Sequence, residues 1–164
     1  MRRKNPGIRS IWLIGLLAAT VAGMTACSGT GNGGEPRPGS TPADNRDAIV
    51  AEATAFGGIV LPEGVSVLDA RTERGADTLY QLALSTTPEG VDQLLRSSNF
   101  SAPLVKVFQV AEPTIAGPPL NTSPSILRAE DEHRGTDGKT VFRVIVVDER
   151  DQTSRYLHIQ LFTT

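Results

Sequence analysis

Beyond residue 27 this chain has no cysteine, methionine or tryptophan. Cys27, Met1, Met24 and Trp12 are the whole complement of those types, and all fall in the first 27 of 164 residues. The scarcity is chemically restrictive. One thiol cannot form an internal disulfide, a CxxC redox pair or a thiolate metal cluster. Only two histidines occur, His133 and His158, so neutral-pH proton transfer has few agents. No G-x-S-x-G elbow, phosphate-binding loop or dinucleotide fingerprint is present. The residues therefore nominate no catalytic group, metal or cofactor.

What is present begins at the N-terminus. Arg2, Arg3, Lys4 and Arg9 precede an apolar run from Ile11 to Ala22, followed by Met24-Thr25-Ala26-Cys27. A charged start, a short apolar stretch and small residues before a cut are the parts of a secretory signal peptide. The run is shorter than the roughly 20 apolar residues that span a bilayer. Its last four residues resemble the lipobox of bacterial lipoproteins, which ends in a small residue followed by Cys; Met24 stands where Leu is more usual. The resemblance implies removal of residues 1–26 and a diacylglyceryl thioether on Cys27. It also implies a place at the extracytoplasmic face of the cell membrane, held through the lipid. The Arg-over-Lys, Ala/Gly/Pro-rich usage is similar to that of envelope lipoproteins of high-GC bacteria.

Removing residues 1–26 takes away four of the 16 cations and none of the 18 acids, so the remainder is acidic, at −6. Such a domain lacks the clustered Lys and Arg of nucleic-acid binders. Residues 27–43 comprise Cys27 and the run SGTGNGGEPRPGSTPA, with almost no apolar side chain. This reads as a flexible tether reaching about 20–24 Å.

Residues 44–164 read as one small domain. Asp44 to Phe56 has the pattern of a helix capped by Asp44 or Asn45 and ended by Gly57-Gly58. Two strands, from about Val65 to Glu73 and from Asp77 to Ser85, form a hairpin across Arg74–Asp77. Thr87-Pro88-Glu89 opens a second helix whose Val91, Leu94 and Leu95 make a narrow apolar stripe. Ile126–His133, Thr140–Asp148 and Arg155–Thr163 form a meander, with Asp137-Gly138 as a hairpin signal. The expected class is α+β: a single antiparallel sheet, made of an N-terminal hairpin plus a C-terminal meander, with a helix packed on one face.

The sheet has apolar side chains on both faces. If Leu157, Ile159 and Leu161 lie with Phe142, Val144 and Val146 under the helix, the other face presents Val141, Ile145, Val147, Tyr156 and Phe162, with His158 among them. A solvent-facing sheet alternates more cleanly. Residues 101–125, with Val105, Val107 and Phe108 and then a Pro-rich stretch, are the expected cover, either sealing the face or forming a groove with it. These nine residues are the candidate binding surface. His133 falls in Glu130-Asp131-Glu132-His133, which reads as a solvated, charged strand end.

The functional expectation is a lipid-anchored, non-enzymatic interaction module of the cell envelope whose partner is another envelope protein. The alternative is a carrier of a small apolar ligand or lipid, using the second face and its loop. The anchor is testable at one atom. Cys27→Ser should block acylation and cleavage, seen as a precursor of higher mass. A mutant still cut after Ala26 and equally membrane-bound in fractionation would refute the anchor.

Overall fold

The computed structural model describes residues 41–135 and 137–164. The leader, Cys27 and the tether up to residue 40 lie outside these residues. Helix α1 (Ala43–Gly57) is followed by β1 (Ser66–Arg74), β2 (Thr78–Thr86), α2 (Pro88–Ser97), β3 (Val105–Val107), a 3-10 turn (Leu120–Thr122), β4 (Ile126–Arg134), β5 (Thr140–Glu149) and β6 (Arg155–Phe162). The strands form one antiparallel sheet in the order β1-β2-β6-β5-β4-β3. The class is α+β with a helix on one face of a single sheet, as the patterning predicts. Among the described residues no helix is long and apolar enough to cross a membrane.

Local chemistry accounts for the element ends. The Thr87 hydroxyl accepts a hydrogen bond from Gly90 N at 3.2 Å, and Pro88 occupies the first helical position, where its missing N–H costs nothing. Helix α1 stops at Gly58, whose φ of +60° suits glycine. A side chain there would also collide with the His133 ring, 2.5 Å from where a Cβ would stand. The start of α1 differs from expectation. Neither Asp44 nor Asn45 caps it, because the helix begins earlier, behind Pro42, and Asp44 falls in its first turn. The domain likewise begins before residue 44: the Thr41 hydroxyl donates to Ala70 O at 2.9 Å and fastens the chain to β1.

One sheet face carries the larger core. Ile49 and Ala53 of α1, Val91 and Leu94 of α2, and Ala70, Tyr80, Leu82, Leu84, Val141, Ile145, Val147, Leu157, Ile159 and Leu161 of the sheet are buried together. The pairings Ile145↔Ile159 and Val147↔Leu157 show why. Leu157, Ile159 and Leu161 share their face with Val141, Ile145 and Val147. The expected grouping with Phe142, Val144 and Val146 is therefore reversed.

In the middle of that apolar face sits Arg143, 1% exposed. Its guanidinium uses every N–H it has. Nε and Nη2 donate to the Asp131 carboxylate at 2.7 and 2.6 Å, Nη1 to the carbonyls of Gly57 (3.1 Å) and Ser98 (2.9 Å), and Nη2 to that of Asn99 (3.3 Å). The Phe100 ring lies 4.4 Å from its central carbon. Gly57 ends α1, and Ser98 follows α2, so one cation meets the carbonyl ends of both helices, where the dipoles favour it. Asp131 also accepts from Ser101 N at 2.8 Å and Ser101 Oγ at 3.2 Å. It is buried beneath the helix ends, not part of a solvated strand end as the Glu130–His133 run implies.

Burial pushes the Asp131 carboxyl up, but the bonds from Arg143 and Ser101 outweigh it and hold it below its ordinary value of 3.8. A depressed carboxylate contributes stability that is complete above the unfolded value and lost as pH falls through the folded one. Chemical denaturation should therefore show stability falling once pH drops below about 4. Arg143→Met should cost about 3–5 kcal/mol, because it strands the buried carboxylate. Adding Asp131→Leu should recover part of that loss; equal costs for the single and double variants would contradict a paired charge.

Candidate functional site

The nine candidate surface residues do not form one surface. Val141, Ile145 and Val147 are buried in the α1 core. Tyr156, His158 and Phe162 lie on the opposite face, and Val105, Val107 and Phe108 lie at the far edge, beyond β5 and β4. The physical reason is the register. The run Val141–Val147 is apolar at both parities, so only its pairing with β6 decides which set faces which side.

The opposite face is covered by residues 108–125, which cross the sheet from the β3 edge as far as β1. Arginines on the sheet and just past the end of β5 hold the crossing at several points. Arg128 Nε on β4 donates to Glu112 Oε1 at 2.8 Å, and Arg71 Nη2 on β1 donates to Ile115 O at 3.4 Å. Arg150 binds Pro119 O at 3.2 Å, Thr122 O at 3.0 Å and Thr122 Oγ1 at 2.9 Å. Its Nε also donates to the fully buried Asp148 carboxylate, which accepts from Ser123 Oγ as well. Under the crossing Leu120, Ile126, Val144 and Val146 form a second, smaller core, with Val107, Val110 and Phe162 packed at its margin. Phe162 also stacks on Phe142 at 5.5 Å. The segment thus seals this part of the face.

His158 lies beneath the crossing, 4% exposed, between Ala83 of β2 and Val146 of β5. Neither ring nitrogen has a hydrogen-bond partner among the described residues. Burial lowers its pKa below the ordinary 6.5, and the field of Asp148 opposes this. An imidazole without a hydroxyl or carboxylate partner is not arranged as the base of a nucleophile–base pair. His133 instead rests against Gly58 at the end of α1. Among the described residues no three His, Cys, Asp or Glu side chains lie close enough to hold a metal ion together.

The accessible features are at the periphery. β3 is an outer strand, paired on one side by β4. Beside it Phe108 is 100% exposed and Val105 55% exposed. A cleft of about 400 Å³ adjoins the strand, lined by Phe108, Val110, Leu120 and Ile126 with Asn121 and Ser123 at its polar margin. A cleft of about 570 Å³ lies at the β1–β2 turn beside Phe162 and Thr163, and one of about 330 Å³ between α1 and β1. Sequence reasoning identified Val105 and Phe108, because apolar residues before a Pro-rich stretch are conspicuous. It missed Arg71, Arg128 and Arg150, whose roles depend on which carbonyls the crossing brings over them.

The chain matches no protein-family model, no curated protein and no solved structure.

Proposed function

We propose that this protein is a lipid-anchored, extracytoplasmic interaction module, and that it binds an extended segment of another envelope protein along the free edge of β3. The observation behind this reading is the fully exposed Phe108 at the end of an outer strand with apolar Val105 on it. An outer strand presents backbone N–H and C=O groups to a further strand, and neighbouring clefts select its side chains. Here the cleft floored by Leu120 and Ile126 adjoins Phe108 and can take an apolar side chain from the added segment. Lys106, exposed between the two valines, favours an acidic residue beside it. Tethering at Cys27 would raise the local concentration of the edge for membrane-bound partners.

The carrier reading has less support. A carrier needs an enclosed apolar cavity of about 300–1,000 Å³. The second face is filled by Leu120, Val107 and Val110 packed on Val144 and Val146, and the nearest cleft has the wholly exposed Phe108 as a wall.

A photo-crosslinking residue at Phe108, in living cells, tests the edge against one at Ala76, exposed in the β1–β2 turn at the opposite edge of the sheet. Position 108 should give a discrete protein adduct that Lys106→Pro abolishes, with the crosslinked site in an extended stretch of the partner. Equal labelling from both positions, or an adduct unaffected by Lys106→Pro, would overturn the proposal.

A further inference from the structure

The stretch between Glu112 and Leu120 crosses a buried histidine that has no hydrogen-bond partner. Its backbone comes down at Gly117, where φ is +93° and a side-chain carbon would stand 3.4 Å from the Tyr156 ring, 3.7 Å from Leu68 and 3.9 Å from His158 Cε1. Either end is well fastened, by Glu112 to Arg128 and by Leu120 and Thr122 to the second core and Arg150. Between them Arg71 binds Ile115 O at the long distance of 3.4 Å, and Pro113, Thr114 and Gly117 are exposed. Few buried contacts over six residues, between firm ends, mark a segment able to open locally while the sheet stays folded.

We propose that residues 113–118 form an acid-released cover over Leu68, Tyr156 and His158, closed while His158 is neutral. A protonated imidazole has two N–H donors, and the closed arrangement offers neither an acceptor. The groups facing His158 do not repair this. From β5, Asp148 is engaged by Arg150 and Ser123. From β1, Asp69 and Arg71 bind each other at 3.1 Å. From β6 itself Tyr156 presents a phenol, and β2 places Gln81, Ala83 and Ser85 on this side, none of them charged. From β4 come Arg128, Glu130 and Glu132, the first paired to Glu112, the one charged residue of 108–119. Lifting the cover lets water solvate the charged ring without disturbing the Arg143 core on the opposite face.

The closed form holds a neutral, buried imidazole and binds a proton more weakly than the open form does. Closure is therefore complete above about pH 6.5 and weakens by up to about tenfold per pH unit below it, until the lowered value is reached. The cover is thus a pH-responsive element separate from the β3 edge, and it stands whether or not that edge binds a partner.

The test is NMR on the full chain between pH 7.5 and 5. Cross-relaxation between the Gly117 Cα protons and the Tyr156 ring, which are in contact in the closed form, should be lost at pH 5, while amides of β2, β5 and β6 stay protected from hydrogen exchange. The imidazole resonances of His158 should titrate over the same range in the unmodified protein. His158→Leu should remove the pH response, and Glu112→Gln should keep it. A Gly117–Tyr156 contact unchanged by acid, an acid loss of protection across the whole sheet, or a contact loss that persists in His158→Leu and is absent in Glu112→Gln would each overturn the proposal. Should His158→Leu fail to fold, a mismatch between the His158 titration and the loss of that contact would do the same.

Discussion

Arg143 determines how the rest of the molecule is assembled. A guanidinium at the centre of a buried strand must have all its donors met, because an unpaired buried charge is far costlier than an exposed one. Here the partners are distant in sequence: Asp131 on the next strand, Gly57 at the end of α1, and Ser98 and Asn99 after α2. Meeting those demands fixes where both helices stop and how they approach the sheet. A buried ion pair adds little stability over apolar packing of the same volume, so its effect here is placement more than strength. Strength comes from the apolar set around it, Leu82, Leu84, Ile145, Ile159 and Leu161 among others.

The opposite face follows the same chemistry with weaker ties. Arg71 and Arg128 of the sheet, and Arg150 just past β5, reach to carbonyls and a carboxylate of the 108–125 crossing, as planar, always-charged forks suited to several acceptors at once. They close the second face with a small core where a larger one would have no helix to supply it. The result is asymmetric. One side is locked by a fully satisfied cation, and the other is held at its ends and sparse over His158. Among the described residues, Phe108 and Val105 at the β3 edge are the most exposed of the large apolar side chains.

Much of the fold is legible in the chain because its punctuation is local. Thr87-Pro88, Gly57-Gly58 and Asp137-Gly138 each satisfy a backbone requirement within a few residues, and each ends or starts an element where expected. The pairing of faces is not local. Val141–Val147 is apolar at every position but Arg143, so alternation cannot tell core from cover. One signal does point to the arginine. A hairpin closing on Gly135–Lys139 places Arg134 opposite Thr140, and counting back along both strands puts Asp131 opposite Arg143. An acid opposed to a base that is itself flanked by Phe142 and Val144 is the sequence trace of the buried pair. No comparable trace locates His158, whose burial depends on a Pro-rich crossing of no regular period.

The central role of Arg143 is tested most directly by residue-resolved hydrogen exchange on Arg143→Met under conditions where the variant remains folded. If the guanidinium joins the two helices to the sheet, amides in the last turns of α1 and α2 should lose protection together, while those of β2 and β6 keep theirs. Loss confined to β5, or spread evenly over the whole sheet, would show that the helix ends do not depend on it.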